Sequence, residues 1–272
     1  MPTTHLPPIG LGTLRNTDPE ECAETVVEAV DIGYRHIDTA QKYGNEEYVG
    51  DGIARADIPR EDLFIATKVD ETNLSYDDVL RTTEESRERL GIDTIDLHYI
   101  HWPAVSSHED RYDPSETIPA FNELLDEGVI SRVGVGNFDV ALSEEAQDLL
   151  DVPIFAIQVE MHPLLQQQEL VEYVQENDIY LVAYCPLMRG DIVNVPEIAE
   201  IAEKRGATPA QVGLTWLLSK DNVVTIPKAR GEHLVENFRA QDVELRPEDI
   251  ERIDSIDREH RIVDREKGPW CW

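Results

Sequence analysis

Short apolar runs rich in Val, Ile and aromatic residues return eight times along this chain, at 9–13, 35–39, 63–69, 95–101, 132–137, 155–161, 180–186 and 223–227. Most are apolar almost without interruption, the mark of strands covered on both faces of a parallel sheet. Segments with helical spacing lie between them. Asp18-Pro19-Glu20-Glu21 reads as an N-cap, a proline at the first helical position and acids in the first turn. Cys22, Val26, Val27 and Val30 form the apolar face of that helix, and Gly33 ends it. Further amphipathic runs occupy 77–90, 115–127, 143–150, 167–175, 196–204 and 208–218. The last opens Thr208-Pro209-Ala210-Gln211, with Gln placed for a capping box. A final helix is expected at 247–258 and a loop over the pocket at 261–272.

Strand–helix alternation repeated in this way predicts an α/β chain folded as a single (β/α)8 barrel over residues 1–272. The competing architecture is a doubly wound open sheet, which carries a glycine fingerprint after a strand. Gly10-Leu11-Gly12 would need a third glycine at Arg15, and Gly134-Val135-Gly136 one at Asp139, so both candidates fail.

Composition removes several functions. With 56 acidic and 24 basic residues the formal net charge is −32, which a nucleic-acid backbone would repel. No apolar run approaches the ~18 residues of a membrane helix, and the first residues show no secretory signal. The three cysteines, Cys22, Cys185 and Cys271, are far apart and form no metal or redox pair. A reducing cytoplasm is the expected location. The acids are spread along the chain and the cations are 18 Arg and 6 Lys. Such self-repulsion is relieved when salt is concentrated, so a salt-adapted protein is expected.

In a barrel, reactive groups sit where strands end and loops begin. The ends of the second, third and fourth strands carry Asp38, Lys68 and His101, and Tyr43 stands in the loop after Asp38. A free phenol has a pKa of ~10 and is a poor acid at neutral pH. A neighbouring ammonium is expected to lower it, with Asp38 holding Lys68 charged. His101 is placed to donate to a substrate oxygen. Together these groups suit protonation of an oxyanion forming on a carbonyl as a hydride arrives.

The motifs are specific. Gly33-Tyr34-Arg35-His36-Ile37-Asp38-Thr39-Ala40, then Tyr43 and Asn45-Glu46, resembles the first signature of the aldo-keto reductases. Gly10-Leu11-Gly12-Thr13, Ala66-Thr67-Lys68, Asp96-Leu97, Ile100-His101-Trp102-Pro103, Gln158-Val159-Glu160, Ala183-Tyr184-Cys185-Pro186-Leu187 and Ile226-Pro227-Lys228 with Glu236-Asn237 resemble that family's other strands, in order. The resemblance implies a barrel that binds NADP(H), or NAD(H), without a Rossmann domain and reduces small aldehydes and ketones. It assigns Tyr43 as proton donor, Lys68 and Asp38 as its tuning pair and His101 as orienter of the carbonyl. It places Asn137 and Gln158 at the nicotinamide carboxamide and stacks Tyr184 on the ring. Thr13 and Leu187 line the cofactor path, and Lys228, Glu236 and Asn237 hold the adenosine end. A monomer is the family default.

Departures accompany the likeness. Gly136 stands where the family has Ser, as does Ala229, and the segment from Lys228 to Glu236 is one residue short. His233 replaces an Arg that grips the 2′-phosphate, leaving Lys228 and Arg230 as cations, so NADP(H) is favoured over NAD(H). The stretch before Ile9 is short for the hairpin that plugs the barrel floor. Trp102, Trp270 and Trp272 are candidates for an apolar pocket wall, with specificity in the loops at 104–114 and 188–195 and in the tail. His36, Glu160 and His162 read as structural, and His98 has the wrong parity to join His101 in a metal site. Two rival functions are a Schiff-base lyase using Lys68 and a non-catalytic NADP(H)-binding subunit or sensor.

Overall fold

The computed structural model describes residues 5–103 and 112–264, together with Gly268 and Trp270. Cys271, Trp272 and residues 104–111 of the expected specificity loop lie outside the described residues. Strands β1 (Leu11–Gly12), β2 (His36–Asp38), β3 (Phe64–Val69), β4 (Leu97–Ile100), β5 (Val133–Gly136), β6 (Ala156–Glu160), β7 (Tyr180–Tyr184) and β8 (Val223–Thr225) pair in parallel in sequence order. A parallel bridge between Ile9 and Thr225 joins the first strand to the last. Gly10 N–H donates to the Thr225 carbonyl at 2.8 Å, and Thr225 N–H to the Pro8 carbonyl at 3.0 Å. The sheet is therefore a barrel, and the open doubly wound alternative is excluded.

Ten helices accompany the strands among the described residues: α1 (Pro19–Ile32), α2 (Glu46–Arg55), α3 (Tyr76–Leu90), α4 (Pro114–Asp126), α5 (Val140–Leu149), α6 (Gln168–Glu176), α7 (Pro196–Arg205), α8 (Pro209–Leu218), α9 (Glu232–Phe238) and α10 (Pro247–Asp254). Their punctuation follows the sequence. Asp18 accepts from Glu21 N–H at 2.9 Å, and Thr208 and Gln211 cap each other reciprocally. The helix expected at 143–150 instead starts at Val140, because Asp139 caps it by accepting from Leu142 N–H at 2.9 Å. Ser143 lies inside the first turn, its hydroxyl donating to the Asp139 carbonyl. The last helix stops at Asp254, short of 258.

Helix α2 is absent from the sequence reading for a physical reason. Gly50 and Gly52 lower its intrinsic helix preference. A Cβ at Gly50 would lie 2.6 Å from the Arg89 carbonyl oxygen, and one at Gly52 2.6 Å from the Val26 Cβ. The glycines that blur the helical signal are what let α2 seat against α1 and α3.

Side-chain parity divides the core. One face of the strands points into the barrel and packs Leu6, Phe64, Ala66, Leu97, Tyr99, Ala156, Val182, Val224 and Ile226 together. The other face meets the helices in a larger apolar shell. This double coverage explains the uninterrupted apolar runs. At the floor, Leu6 is buried, His5 and Tyr180 hydrogen-bond at 2.9 Å, and the Arg132 guanidinium lies 5.4 Å from the Phe64 ring and 5.0 Å from the Phe155 ring. No helix among the described residues is long and apolar enough to cross a membrane.

Candidate active site

The inward parity that fills the barrel carries a different set of residues at its C-terminal rim. Asp38 ends β2, Lys68 stands near the end of β3 and His101 follows β4. Tyr43 ends a short 3-10 turn at 41–43, which Gly44 closes in the left-handed region at φ 64°. Lys68 Nζ donates to Asp38 Oδ1 at 2.5 Å and to the Thr39 carbonyl at 2.7 Å. The same ammonium lies 5.1 Å from the centre of the Tyr43 ring, and that ring meets the His101 imidazole edge-on at 5.8 Å. Four residues from four segments thus share one mouth of the barrel.

Burial sets their electrostatics. Asp38 and Lys68 are each 1% exposed. Burial pushes the Asp38 carboxyl up and the Lys68 ammonium down, and each partner's charge pulls the other back toward its ionised form. Tyr43 departs from the expected direction. Burial, followed by the Asp38 charge, holds its hydroxyl well above the ordinary phenol value. The lysine beside the ring is paired with that carboxylate, so the hydroxyl does not face a bare cation. The result keeps Tyr43 protonated at neutral pH, the form a proton donor requires.

A second tier fixes the tetrad. Gln158 Nε2 donates to the free Asp38 oxygen at 2.8 Å. Thr13 Oγ1 donates to the Asp38 carbonyl at 3.0 Å. Asn137, in the left-handed region at φ 62°, donates to the His101 carbonyl at 2.9 Å and accepts from the Tyr184 hydroxyl at 2.8 Å. The amides of Asn137 and Gln158 each have a second N–H, as a carboxamide-binding pair needs. Gly136 is explained here: a Cβ there would lie 2.7 Å from the His101 carbonyl oxygen, so β5 approaches β4 too closely for a serine. Leu187 is half-buried against the core just beyond Tyr184.

Two supporting residues went unassigned in the sequence. Asn45, fully buried, accepts from Thr39 Oγ1 at 2.9 Å and donates to the Thr13 and Asn16 carbonyls, tying the first two strand ends together. Arg15 lies in the loop after β1, and its backbone carbonyl accepts from Lys228 Nζ at 3.5 Å. Burial and then the Arg15 charge lower the Lys228 ammonium. No carboxylate among the described residues pairs with either side chain. Two unneutralised cations side by side, in a chain of net charge −32, fit an anionic group such as a phosphate. The signal was present: a cation in a rim loop, inspected only as a missing glycine.

The other expected cofactor residues are engaged differently. Arg230 forms an ion pair with Glu21 of α1, and His233 pairs with Glu236 at 2.9 Å. Asn237 is buried at the end of α9. Trp102 and Trp270 do come together, ring centres 5.6 Å apart at 64°. His98 points away from the rim, its Nε2 bonded to Thr83 Oγ1 at 3.0 Å. The described residues contain no group of three or more metal-ligating side chains.

The comparisons agree with this geometry. The model of the "Aldo/keto reductase family" matches residues 8–258. The glyoxal reductase of Bacillus subtilis (strain 168) is 40% identical, over 94% of this chain and 91% of its own. Methylglyoxal reductase DkgB of Escherichia coli O157:H7 is 36% identical, over 96% and 97%. Among solved structures, MGS-M4, an aldo-keto reductase enzyme from a Medee basin deep-sea metagenome library, superposes with a TM-score of 0.88 at 37% identity, covering 96% of this chain and 95% of that one. A Gox0644 mutant in complex with NADPH gives 0.84 at 36% identity, over 93% and 90%. The chain belongs to the aldo/keto reductase family. It is accordingly an oxidoreductase, reducing carbonyl groups with a nicotinamide cofactor on a (β/α)8 barrel.

Proposed function

We propose that the protein reduces small aldehydes and ketones to alcohols with NADP(H) in preference to NAD(H), using Tyr43 as the proton donor. The observation that carries this reading is the Lys68 ammonium, clamped between Asp38 and the Thr39 carbonyl and lying against the Tyr43 ring. When bound, the nicotinamide supplies a hydride to the carbonyl carbon. Tyr43 gives its proton to the carbonyl oxygen as negative charge builds there. His101 orients that oxygen from the side facing the Tyr43 ring. Lys68 stabilises the phenolate left behind, and Asp38 holds Lys68 in position. Asn137 and Gln158 grip the carboxamide, and Tyr184 backs the ring and so limits which face it presents. Thr13 and Leu187 line the path, while Lys228, Arg230, His233, Glu236 and Asn237 surround the adenosine end.

Arg15 joins that cationic set, and with Lys228 it supports the preference for a 2′-phosphate. The relatives that act on glyoxal and methylglyoxal support small dicarbonyls as a first substrate class. Trp102 and Trp270 form the apolar wall of the substrate side. The protein works as a single-domain monomer in a salt-rich cytoplasm. The lyase reading is weaker, because Lys68 Nζ already spends donors on Asp38 and Thr39 and lacks a free nucleophilic lone pair. The sensor reading is weaker because the full Asp38, Tyr43, Lys68 and His101 set is assembled.

The test is NADPH and NADH consumption over aldehydes, ketones, keto-acids and sugars in KCl, with wild type and Tyr43→Phe. Turnover that survives Tyr43→Phe refutes the assignment. Tight NADPH binding without turnover of any carbonyl would favour the sensor.

A further inference from the structure

Five carboxylates are buried among the described residues: Asp38, Glu46, Glu71, Glu160 and Asp249. Four have a cation against them, namely Lys68, Arg89, Lys42 and, for Asp249, Arg205 with Lys204. Glu160, the last residue of β6 and 1% exposed, has no Lys or Arg paired with it among the described residues. A carboxylate that deep needs compensation for its lost hydration. It receives it from the chain's own tail. Glu160 Oε1 accepts from Ile262 N–H at 2.6 Å, and Oε2 from Val263 N–H at 2.7 Å. His162, itself fully buried, adds Nε2 to Oε1 at 2.9 Å. The acceptor-only carboxylate requires the imidazole proton to sit on Nε2.

The dependence runs both ways. Residues 256–264 have no helix or strand, so their amides need partners from elsewhere. His260 N–H goes to the Leu164 carbonyl, and the next anchors along the segment are the two bonds to Glu160. Between those anchors stands Arg261, whose guanidinium lies 3.9 Å from the Trp270 ring, and the Trp270 indole N–H reaches Asp264 at 3.4 Å. Trp270 rests on Trp102, the residue after His101. Across the sheet, Glu160 is in register with Tyr184.

We infer that Glu160 is a positioning residue whose carboxylate clasps the 260–264 segment and thereby holds Trp270 against Trp102 as the substrate-side wall. This rests on the proposed placement of the substrate between Tyr43 and His101. Its reach is selective. A bulky carbonyl compound that fills the space against the wall needs the clasp, and a two- or three-carbon dicarbonyl does not.

Hydrogen exchange on the full chain with NADPH, together with steady-state kinetics, tests this in Glu160→Gln and Val263→Pro. The amide keeps the volume of the carboxylate and loses its charge, while proline deletes one donor without touching the barrel. In each variant the amides at 260–264 should exchange about tenfold faster or more, with α3 and β4 unchanged. KM for 4-nitrobenzaldehyde should rise about tenfold, with kcat within about twofold and the methylglyoxal KM within about twofold. The double variant should add little to either single one, since both break the same clasp. Exchange at 260–264 within twofold of wild type overturns the proposal, as does loosening spread evenly over the barrel or an equal KM change for both aldehydes. If Glu160→Gln does not fold, Val263→Pro decides by the same criteria. If wild type reduces neither aldehyde, the functional reading fails, and the exchange result alone decides the clasp.

Discussion

Two ends of the site are built from charge in opposite ways. At the rim above β2 to β4, Asp38 and Lys68 are 1% exposed and locked by Gln158 and the Thr39 carbonyl. After β8, the Arg230 and His233 side chains are 63% and 75% exposed, and Lys228 also stands in solvent. A buried pair keeps its geometry and its field whatever the solution contains, and removing one partner strands a charge in a poor solvent. Exposed cations attract over a distance that salt shortens. The first arrangement suits a reacting centre and the second a docking point for a charged tail. Catalysis should therefore be nearly blind to KCl, while cofactor affinity should feel it.

Experiments can break this contrast, in falling order of effect. Tyr43→Phe removes the proton donor and should lower kcat by about a thousandfold, within the usual span of general acid catalysis. NADPH binding, followed by fluorescence, should change less than about twofold. Lys68→Met leaves Asp38 buried and unpaired, and urea unfolding should show a loss of about 3–5 kcal/mol together with collapsed turnover. A smaller loss would mean that water reaches Asp38.

The buried histidines predict a pH dependence. Burial, followed by the Lys68 charge, holds His36 down to about 3, and burial holds His98 down to about 4. The unfolded chain takes up these protons near ~6.5, its ordinary imidazole value. Folded-state pKa values below that make stability complete above ~6.5 and progressively lost as pH falls from there toward 4 and 3. His98→Gln should flatten the slope of unfolding free energy between pH 6 and 5 by about 1.2 kcal/mol per pH unit. An unchanged slope would show that His98 titrates normally.

The exposed end should respond more gently. Lys228→Ala should weaken NADPH binding about tenfold in low salt, leave NADH within about twofold, and lose most of its effect in molar KCl. Equal losses for the two cofactors would move Lys228 away from the 2′-phosphate. Smallest of all, the thermal midpoint should climb by several degrees from dilute buffer to multimolar KCl as the −32 charge is screened. A flat curve would make the acidity an ordinary surface.

Much of this was legible before any coordinates. Eight apolar runs announce eight strands because both faces of a parallel barrel strand are covered, and the caps at Asp18 and Thr208 act as their sequences say. The positions of Asp38, Lys68 and His101 at strand ends put them on one rim by parity alone. Helix α2 was hidden because Gly50 and Gly52 serve packing with α3 and α1 at the expense of propensity. The direction of the Tyr43 shift was missed because it depends on the depth of the hydroxyl and on the nearness of the Asp38 charge, both set by the fold.

By itself the sequence determined the fold class, the four rim residues and the acid surplus, since these follow from periodicity, spacing and counts. Only the tertiary structure decided that Arg15 joins Lys228, that Arg230 is taken up by Glu21, and that Glu160 holds the tail. Those pairings join residues from 102 to 213 positions apart: which partner a charge finds is fixed by how the barrel closes, and local pattern carries no record of it.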